Sequence, residues 1–397
     1  MARRVPTDPL SEALDILGDR ASLVRSLFSR RIVEREFLTK QQLSERLLED
    51  FEEDREDVLK YEELYEALGI LGPDDSLVDI LLAMFSEGVL GFFDTEEERI
   101  YLVSEGSELN PQDQLTYVHE YVHSLQQQHY DINATFDELE ENSDRSRAFR
   151  GLIEGDATVS EVLYMFQHMD EEERAEARAG SDDASFDAFR AAPHVIQRTF
   201  TFPYIEGFQF VVALFTTVND WDLVDEAFAA LPQSTEQVLH PEKYTSREAP
   251  VTIDLPDVAA TLGEGWSELL TDTFGEFFIQ VYLEMSVTSE RASLAATGWG
   301  GDRFSLLKSA DDETLLYALI SWDAEDEARE FFEAFLEFNE ERTGSQWEQL
   351  AEDDDTRRLM SLDGQVVFVD WTGSDTLLIF APDTEVLEAA RSAARGM

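Results

Sequence analysis

His119-Glu120-Tyr121-Val122-His123 is the stretch on which the reading of this chain turns. Residues four apart lie on one face of a helix, so both imidazoles can reach a single metal ion while the carboxylate between them points at its open coordination position. The surrounding sequence is a good host for such a helix. Asn110-Pro111 supplies an N-cap and a first-turn proline, and neither proline nor glycine interrupts the chain until well past His123. A helix from Pro111 to Gln128 is predicted, with Leu115, Val118, Val122 and Leu125 as its buried stripe and the two histidines on its flank. Just upstream, Phe92-Phe93 and Arg99 to Val103 flank the acidic turn Asp94 to Glu98, which reads as a β-hairpin whose second strand could pair with an extended peptide.

A catalytic zinc site normally takes three protein ligands and keeps a fourth position for water. Phe149, Leu152, Ile153, Val159, Val162, Leu163 and Phe166 mark a second helix over Arg147 to Phe166, and Glu154-Gly155-Asp156-Ala157-Thr158 lies inside it. A carboxylate in the middle of such a helix is costly to bury without a charged partner, and zinc would be that partner. Gly155 and Ala157 lack bulk, which would let this helix approach the first. Glu154 is therefore the candidate third ligand, with Asp156 the alternative and His129 a more distant choice.

These residues carry a resemblance. Tyr117 to Ile132 (YVHEYVHSLQQQHYDI), followed by Gly151 to Thr158 (GLIEGDAT), resembles the gluzincin-type zinc metallopeptidases, in particular a family of predicted metallopeptidases and surface proteins of halophilic archaea and some bacteria. The likeness continues through Gly91-Phe92-Phe93-Asp94, Phe202-Pro203-Tyr204 with Glu206-Gly207, Ser234 to Gln237 with His240 to Tyr244, and Gly298 to Arg303. The resemblance implies zinc held by His119, His123 and Glu154, with Glu120 catalytic, and leaves the substrate open. Related sequences often carry an acid where Gln127 stands; the Gln127 carbonyl could accept a ligand histidine's second N–H instead. The activity implied is peptide-bond hydrolysis by metal-activated water with Glu120 as general base. Tyr204 and His240 are the candidate donors to the developing oxyanion. A binding or scaffold protein with structural zinc is the alternative, and Glu120 argues against it, because structural zinc needs no base.

Eighty-six acidic residues against 30 Lys and Arg give a net charge of −56, spread along the whole chain. Such a surface repels itself at low ionic strength and is relieved when molar salt shortens the Debye length to about 3 Å, so a halophilic protein is expected. The same charge excludes nucleic acid and anionic membrane surfaces as natural partners. A hydrophobic fraction of 43% with 27 Phe provides material for packed cores. With no cysteine, neither a disulfide nor thiolate metal ligation is available. Arg3-Arg4 is followed by no apolar run, and Asp79 and Glu87 break the longest apolar stretch, Leu77 to Phe93. A cytoplasmic protein without a membrane span is expected, with export left open by the surface proteins in the resembled family. A peptide or protein is the expected partner; oligomeric state is not legible.

The fold class expected is α+β: a mainly helical, zincin-like core with a small hairpin or sheet, then a C-terminal antiparallel α+β domain. Three regions are drawn: a helical one at 1–85, the metal-binding core at 86–249, and the last at 250–397. In the core, Asp131 to Arg145 reads as a long acidic connection, Asp170 to Asp187 as an acidic surface segment, and Ile205 to Ala230 as helical. In the last region, a helix is predicted over Ser267 to Val287, strands over Arg303 to Lys308, Leu315 to Trp322, Gln365 to Trp371 and Leu377 to Phe380, and helices over Glu325 to Glu341 and Thr384 to Arg395. Gly298-Trp299-Gly300-Gly301-Asp302-Arg303 is read as a tight turn anchored by Trp299.

Overall fold

The computed structural model describes residues 9–87, 91–103, 109–182, 186–350, 356–362 and 364–394. Its first part runs α1 (Pro9–Arg25), β1 (Glu34–Leu38), α2 (Lys40–Ala67), α3 (Leu77–Ser86), β2 (Gly91–Asp94), β3 (Arg99–Val103), α4 (Pro111–Tyr130), α5 (Ile132–Leu139), α6 (Ser143–His168), α7 (Glu171–Asp182), α8 (Asp187–Ala191), α9 (His194–Val218), α10 (Asp222–Ala229), α11 (Thr235–Leu239) and α12 (Pro241–Ser246). The remainder runs α13 (Val258–Leu262), β4 (Trp266–Asp272), α14 (Gly275–Leu283), α15 (Ser289–Ala296), β5 (Trp299–Ser309), β6 (Thr314–Trp322), α16 (Glu325–Thr343), β7 (Glu348–Gln349), β8 (Arg357–Leu362), β9 (Gln365–Thr372), β10 (Asp375–Ala381) and α17 (Thr384–Ala394). The class is α+β.

Helix α4 begins where its capping chemistry places it. The Asn110 side chain accepts the Asp113 N–H at 2.9 Å, the Asp113 carboxylate accepts the Asn110 N–H at 3.1 Å, and Pro111 follows at the first helical position. Leu115, Val118, Val122 and Leu125 are all buried, as the period requires. The helix ends at Asp131, whose φ of 53° is left-handed and whose side chain then caps α5. The segment expected to be a long connection is thus mostly folded: α5 occupies its middle and the first turn of α6 its end. Likewise α7 covers most of the acidic stretch after Asp170, and part of that stretch lies outside the described residues.

The hairpin stands as expected, but it is not alone. Strand β1, within a region read as purely helical, pairs in parallel with β3, giving the order β1-β3-β2. Strand β3 is therefore central and cannot take up a peptide. Among the described strands β2 is the edge nearest α4, which packs on it.

Helices α6 and α9 cross at glycine. A Cβ on Gly155 would stand 2.2 Å from the Gly207 carbonyl oxygen, and one on Gly207 would stand 2.2 Å from that of Gly151. The smallness of Gly155 thus serves contact with α9 rather than with α4. Helix α9 also begins earlier than expected and continues through Pro203, which has no N–H to give. Its buried stripe of Phe202, Phe210, Val211 and Leu214 packs in the main core, and this burial outweighs the lost hydrogen bond.

The C-terminal sheet is larger than expected. Its seven strands run antiparallel in the order β4-β5-β6-β10-β9-β8-β7. Side chains alternate between two cores. Phe304, Leu306, Leu316, Ala318, Val367, Val369, Leu378 and Phe380 join the main core with α14 and α16, whereas Leu307, Leu315, Val366, Phe368, Leu377 and Ile379 pack with α13 and α17. The main core also contains Phe149, Phe202 and Leu64, so it runs across the boundaries drawn at 85 and 250.

Two local expectations fail here. The helix predicted over Ser267 to Val287 is strand β4 followed by α14, the change falling at Gly275 with φ +78°. The glycine-rich Gly298 to Arg303 segment is mostly strand: β5 starts at Trp299 and slips register by a bulge before Gly301. Trp299 does anchor it, fully buried and donating Nε1–H to Asp302 at 2.8 Å.

Candidate metal centre

Helices α4 and α6 bring His119, His123 and Glu154 together. Glu154 Oε2 lies 3.1 Å from His119 Nε2 and 3.3 Å from His123 Nε2. One ligand atom from each of the three residues falls within 4.8 Å of the others. The two rings meet edge-on, with centroids 4.8 Å apart.

The far side of each ring is also engaged, and this sets the tautomers. His123 Nδ1 faces Gln126 Oε1 at 2.9 Å. Gln126 Nε2 donates to the Ile153 carbonyl at 3.0 Å and to Asp156 Oδ2 at 2.8 Å, so its amide cannot be turned around, its oxygen is the acceptor, and His123 Nδ1 carries the proton. Asp156 in turn binds Arg25 Nε at 2.5 Å, and Arg25 Nη2 binds Asp225 at 2.6 Å. On the other ring, His119 Nδ1 faces Glu161 Oε2 at 3.3 Å, an acceptor that likewise directs Nε2 toward Glu154.

The electrostatics match. Burial opposes charge on both rings, yet Glu154 and Glu161 outweigh it and raise His119 well above its ordinary value, and Glu154 raises His123. Burial also works against the Glu154 carboxylate, but the imidazoles hold it well below the usual range. The cluster favours added positive charge, carried either by protons on the rings or by one cation in their place. Glu120, between the two histidines, is buried; desolvation pushes its carboxyl up, the histidines offset part of this, and the Phe93 backbone N–H of β2 bonds to it.

A contrast sharpens the reading. Glu236, Glu248 and Asp323 also converge, but Lys243 Nζ already stands among them at 2.6, 2.7 and 2.6 Å. The His119, His123 and Glu154 group has no such cation among the described residues, and its donor set of two imidazoles and one carboxylate suits zinc.

Of the other candidates, Tyr204 comes to this site. Its ring centroid is 6.4 Å from that of His119; the residue is 43% exposed, and it is chiefly the charge of Glu154 that raises its phenol well above the usual value. His240 binds Glu276 at 2.8 Å at the α11–α12 junction, with Glu242 on its other side, and among the described residues it makes no contact of this kind with the cluster. Asp156 is committed to Arg25 and Gln126, and His129 bonds to the Phe28 carbonyl at 2.9 Å. Gln127 does not serve a ligand histidine: it bonds to Asp131 and Asn133, and the neighbouring Gln126 takes the role expected of it.

Residues 264–391 match a family model described as Domain of unknown function (DUF8575), a span that contains the C-terminal sheet and none of the cluster. No curated protein and no solved structure matches the chain.

Proposed function

We propose that this protein is a zinc-dependent peptidase whose ion is held by His119, His123 and Glu154. The observation that carries the reading is the convergence of both Nε2 atoms on Glu154, with Glu120 buried between the two histidines. When bound, zinc supplies Lewis acidity, acidifying water and polarising a carbonyl. The remaining work belongs to the chain. Glu120, its carboxyl already raised by burial, takes the proton from water and returns it to the departing amine. Tyr204, whose phenol stays protonated, donates to the oxygen on which negative charge develops. Edge strand β2 borders Glu120 through the Phe93 N–H, which favours an extended peptide running beside it.

A general base is needed only for the chemical step. Glu120→Gln should therefore keep zinc and fold while losing hydrolysis of a mixed peptide library in high salt by a factor of about 10² or more. Wild type that carries zinc yet cleaves no peptide above the variant removes the peptidase reading and leaves a binding protein with structural zinc.

A further inference from the structure

Helices α2, α3, α6 and α9 line an open cavity of about 440 Å³. Its walls are mainly apolar, from Leu77, Leu81, Ile196 and Phe200; Tyr61, Ser143, Ser146 and Thr199 add hydroxyls, and the charged groups on its wall are Arg147 and Arg150 of α6. The size suits a small organic group.

The two arginines are among several in this chain that no acid among the described residues neutralises directly, and they are the ones that line this cavity. With 86 acidic residues against 30 basic ones, a cation has acids in abundance to pair with, and most arginines here do so. Arg147 and Arg150 form no ion pair among the described residues; they lie over the rings of Phe277 and Phe136 instead. Arg147 Nη1 is buried without a hydrogen-bond partner among the described residues. A buried guanidinium N–H left unbonded costs on the order of 1–3 kcal/mol, so the side chain would gain by turning that N–H toward an acceptor in the cavity. Asp144 feels the charge of Arg147, but its two oxygens are taken by Thr235.

Position connects the cavity with the chemistry. Arg147, Arg150, Glu154 and Glu161 are spaced by three, four and seven residues, so they share one stripe of α6. Arg150 and Arg147 stand about 6 and 10 Å along the axis from Glu154, roughly two to three residues of extended peptide. On the opposite wall, Phe200 and Pro203 of α9 lie within one turn of Tyr204.

From this arrangement we propose that the cavity is a substrate subsite for a carboxylate flanked by an apolar group, with Arg147 and Arg150 binding the carboxylate. On the peptidase reading, on which its role as a subsite rests, the substrate is a peptide carrying that carboxylate a few residues from the cleaved bond, as its C-terminus or as an acidic side chain.

The binding test needs no turnover, so it stands apart from the peptidase reading. The full-length protein as purified, in molar KCl, is titrated calorimetrically with 3-phenylpropanoate and with its uncharged amide. The acid should bind at least about tenfold more tightly than the amide, and Arg147→Gln with Arg150→Gln should remove that advantage. Arg147→Lys with Arg150→Lys, which keeps the charge, should restore most of it and controls for misfolding. Equal binding of acid and amide overturns the proposal. So does acid binding that persists undiminished in the Gln variant, because the carboxylate would then be held elsewhere, including on the metal. N-acetylphenylalanine and the C-terminal amide of N-acetylphenylalanylglutamic acid, free only at its side-chain carboxylate, then separate the sources: arginine-dependent binding of the first assigns a C-terminus and of the second an acidic side chain, while arginine-dependent binding of neither overturns the peptide assignment.

Discussion

Gln126 joins His123 to a buried chain of charges that ends at Arg25 and Asp225. If it fixes the tautomer of the ring, Gln126→Leu should weaken zinc binding about 10–100-fold, measured by competition with a chromogenic chelator, and should also cost about 1–3 kcal/mol of stability, because Asp156 and the Ile153 carbonyl lose a donor. Unchanged affinity would show that the ring is oriented by packing alone. Arg25 is a different case, because it neutralises Asp156 where neither side chain reaches solvent. Arg25→Met should destabilise the fold by about 3–5 kcal/mol in denaturant unfolding, since it leaves a buried carboxylate without its cation; a loss under about 1 kcal/mol would mean that Asp156 is protonated at little cost. These residues also show where the sequence is legible and where it is not. His119, Glu120 and His123 announce themselves by spacing on one helix, and Glu154 by being a carboxylate in the middle of a strongly apolar helix. Nothing distinguishes Gln126 from Gln127 in a run of three glutamines, because the choice depends on where α6 crosses. Glu161 had a signal, seven residues after Glu154 on the same stripe, and it is found only once that stripe is known to face α4.

Between elements, the closest dependence is the glycine crossing of α6 and α9, which sets Tyr204 against Glu154. Gly207→Ala would push a methyl into the Gly151 backbone, so it should destabilise the fold by about 1–3 kcal/mol and lower hydrolysis more than zinc content as Tyr204 moves away. Equal losses of both would detach Tyr204 from the chemistry. A second junction is sensitive to pH. Burial pushes Asp144, which ties α6 to Thr235 of α11, up to about 7. Unfolded, it titrates near 4, so between roughly pH 4 and 7 the folded chain keeps a proton that the unfolded chain has lost, and stability falls as pH rises through that window. Asp144→Asn should flatten this part of the stability profile relative to wild type, and an unaltered slope would assign the effect elsewhere. Element identities were legible where one local rule dominates, as in the capped α4 and the short, near-continuous apolar runs of β6, β9 and β10. Strand β4 was not: Trp266-Ser267-Glu268-Leu269-Leu270 has no clean alternation, and its pairing with β5 passes through a bulge after Glu268, so its state is decided by its neighbour. Strand β1 was hidden for the same reason, its partner being β3 some sixty residues away in sequence.

Across the whole molecule, net charge is the dominant global property. At −56, the folded surface should require screening, so cooperative unfolding should be seen in molar KCl and be lost or strongly weakened in dilute buffer; full stability without salt would remove the halophilic reading. The few cations are placed where acids converge, as Lys243 among three carboxylates and Lys308 beside Glu63 and Asp312 show. No helix among the described residues is long and apolar enough to cross a membrane. Against this acidic background, one group of metal-ligating atoms among the described residues converges with no described lysine or arginine between them, and it is the proposed zinc site. The most direct measurement is the zinc content of full-length protein purified in molar KCl without chelator, beside Glu154→Ala and Asp156→Asn. One zinc per wild-type chain, lost in Glu154→Ala and retained in Asp156→Asn, is the predicted result. A folded wild type that takes up no zinc when the ion is supplied, or a Glu154→Ala chain that holds it at wild-type affinity, would contradict the account.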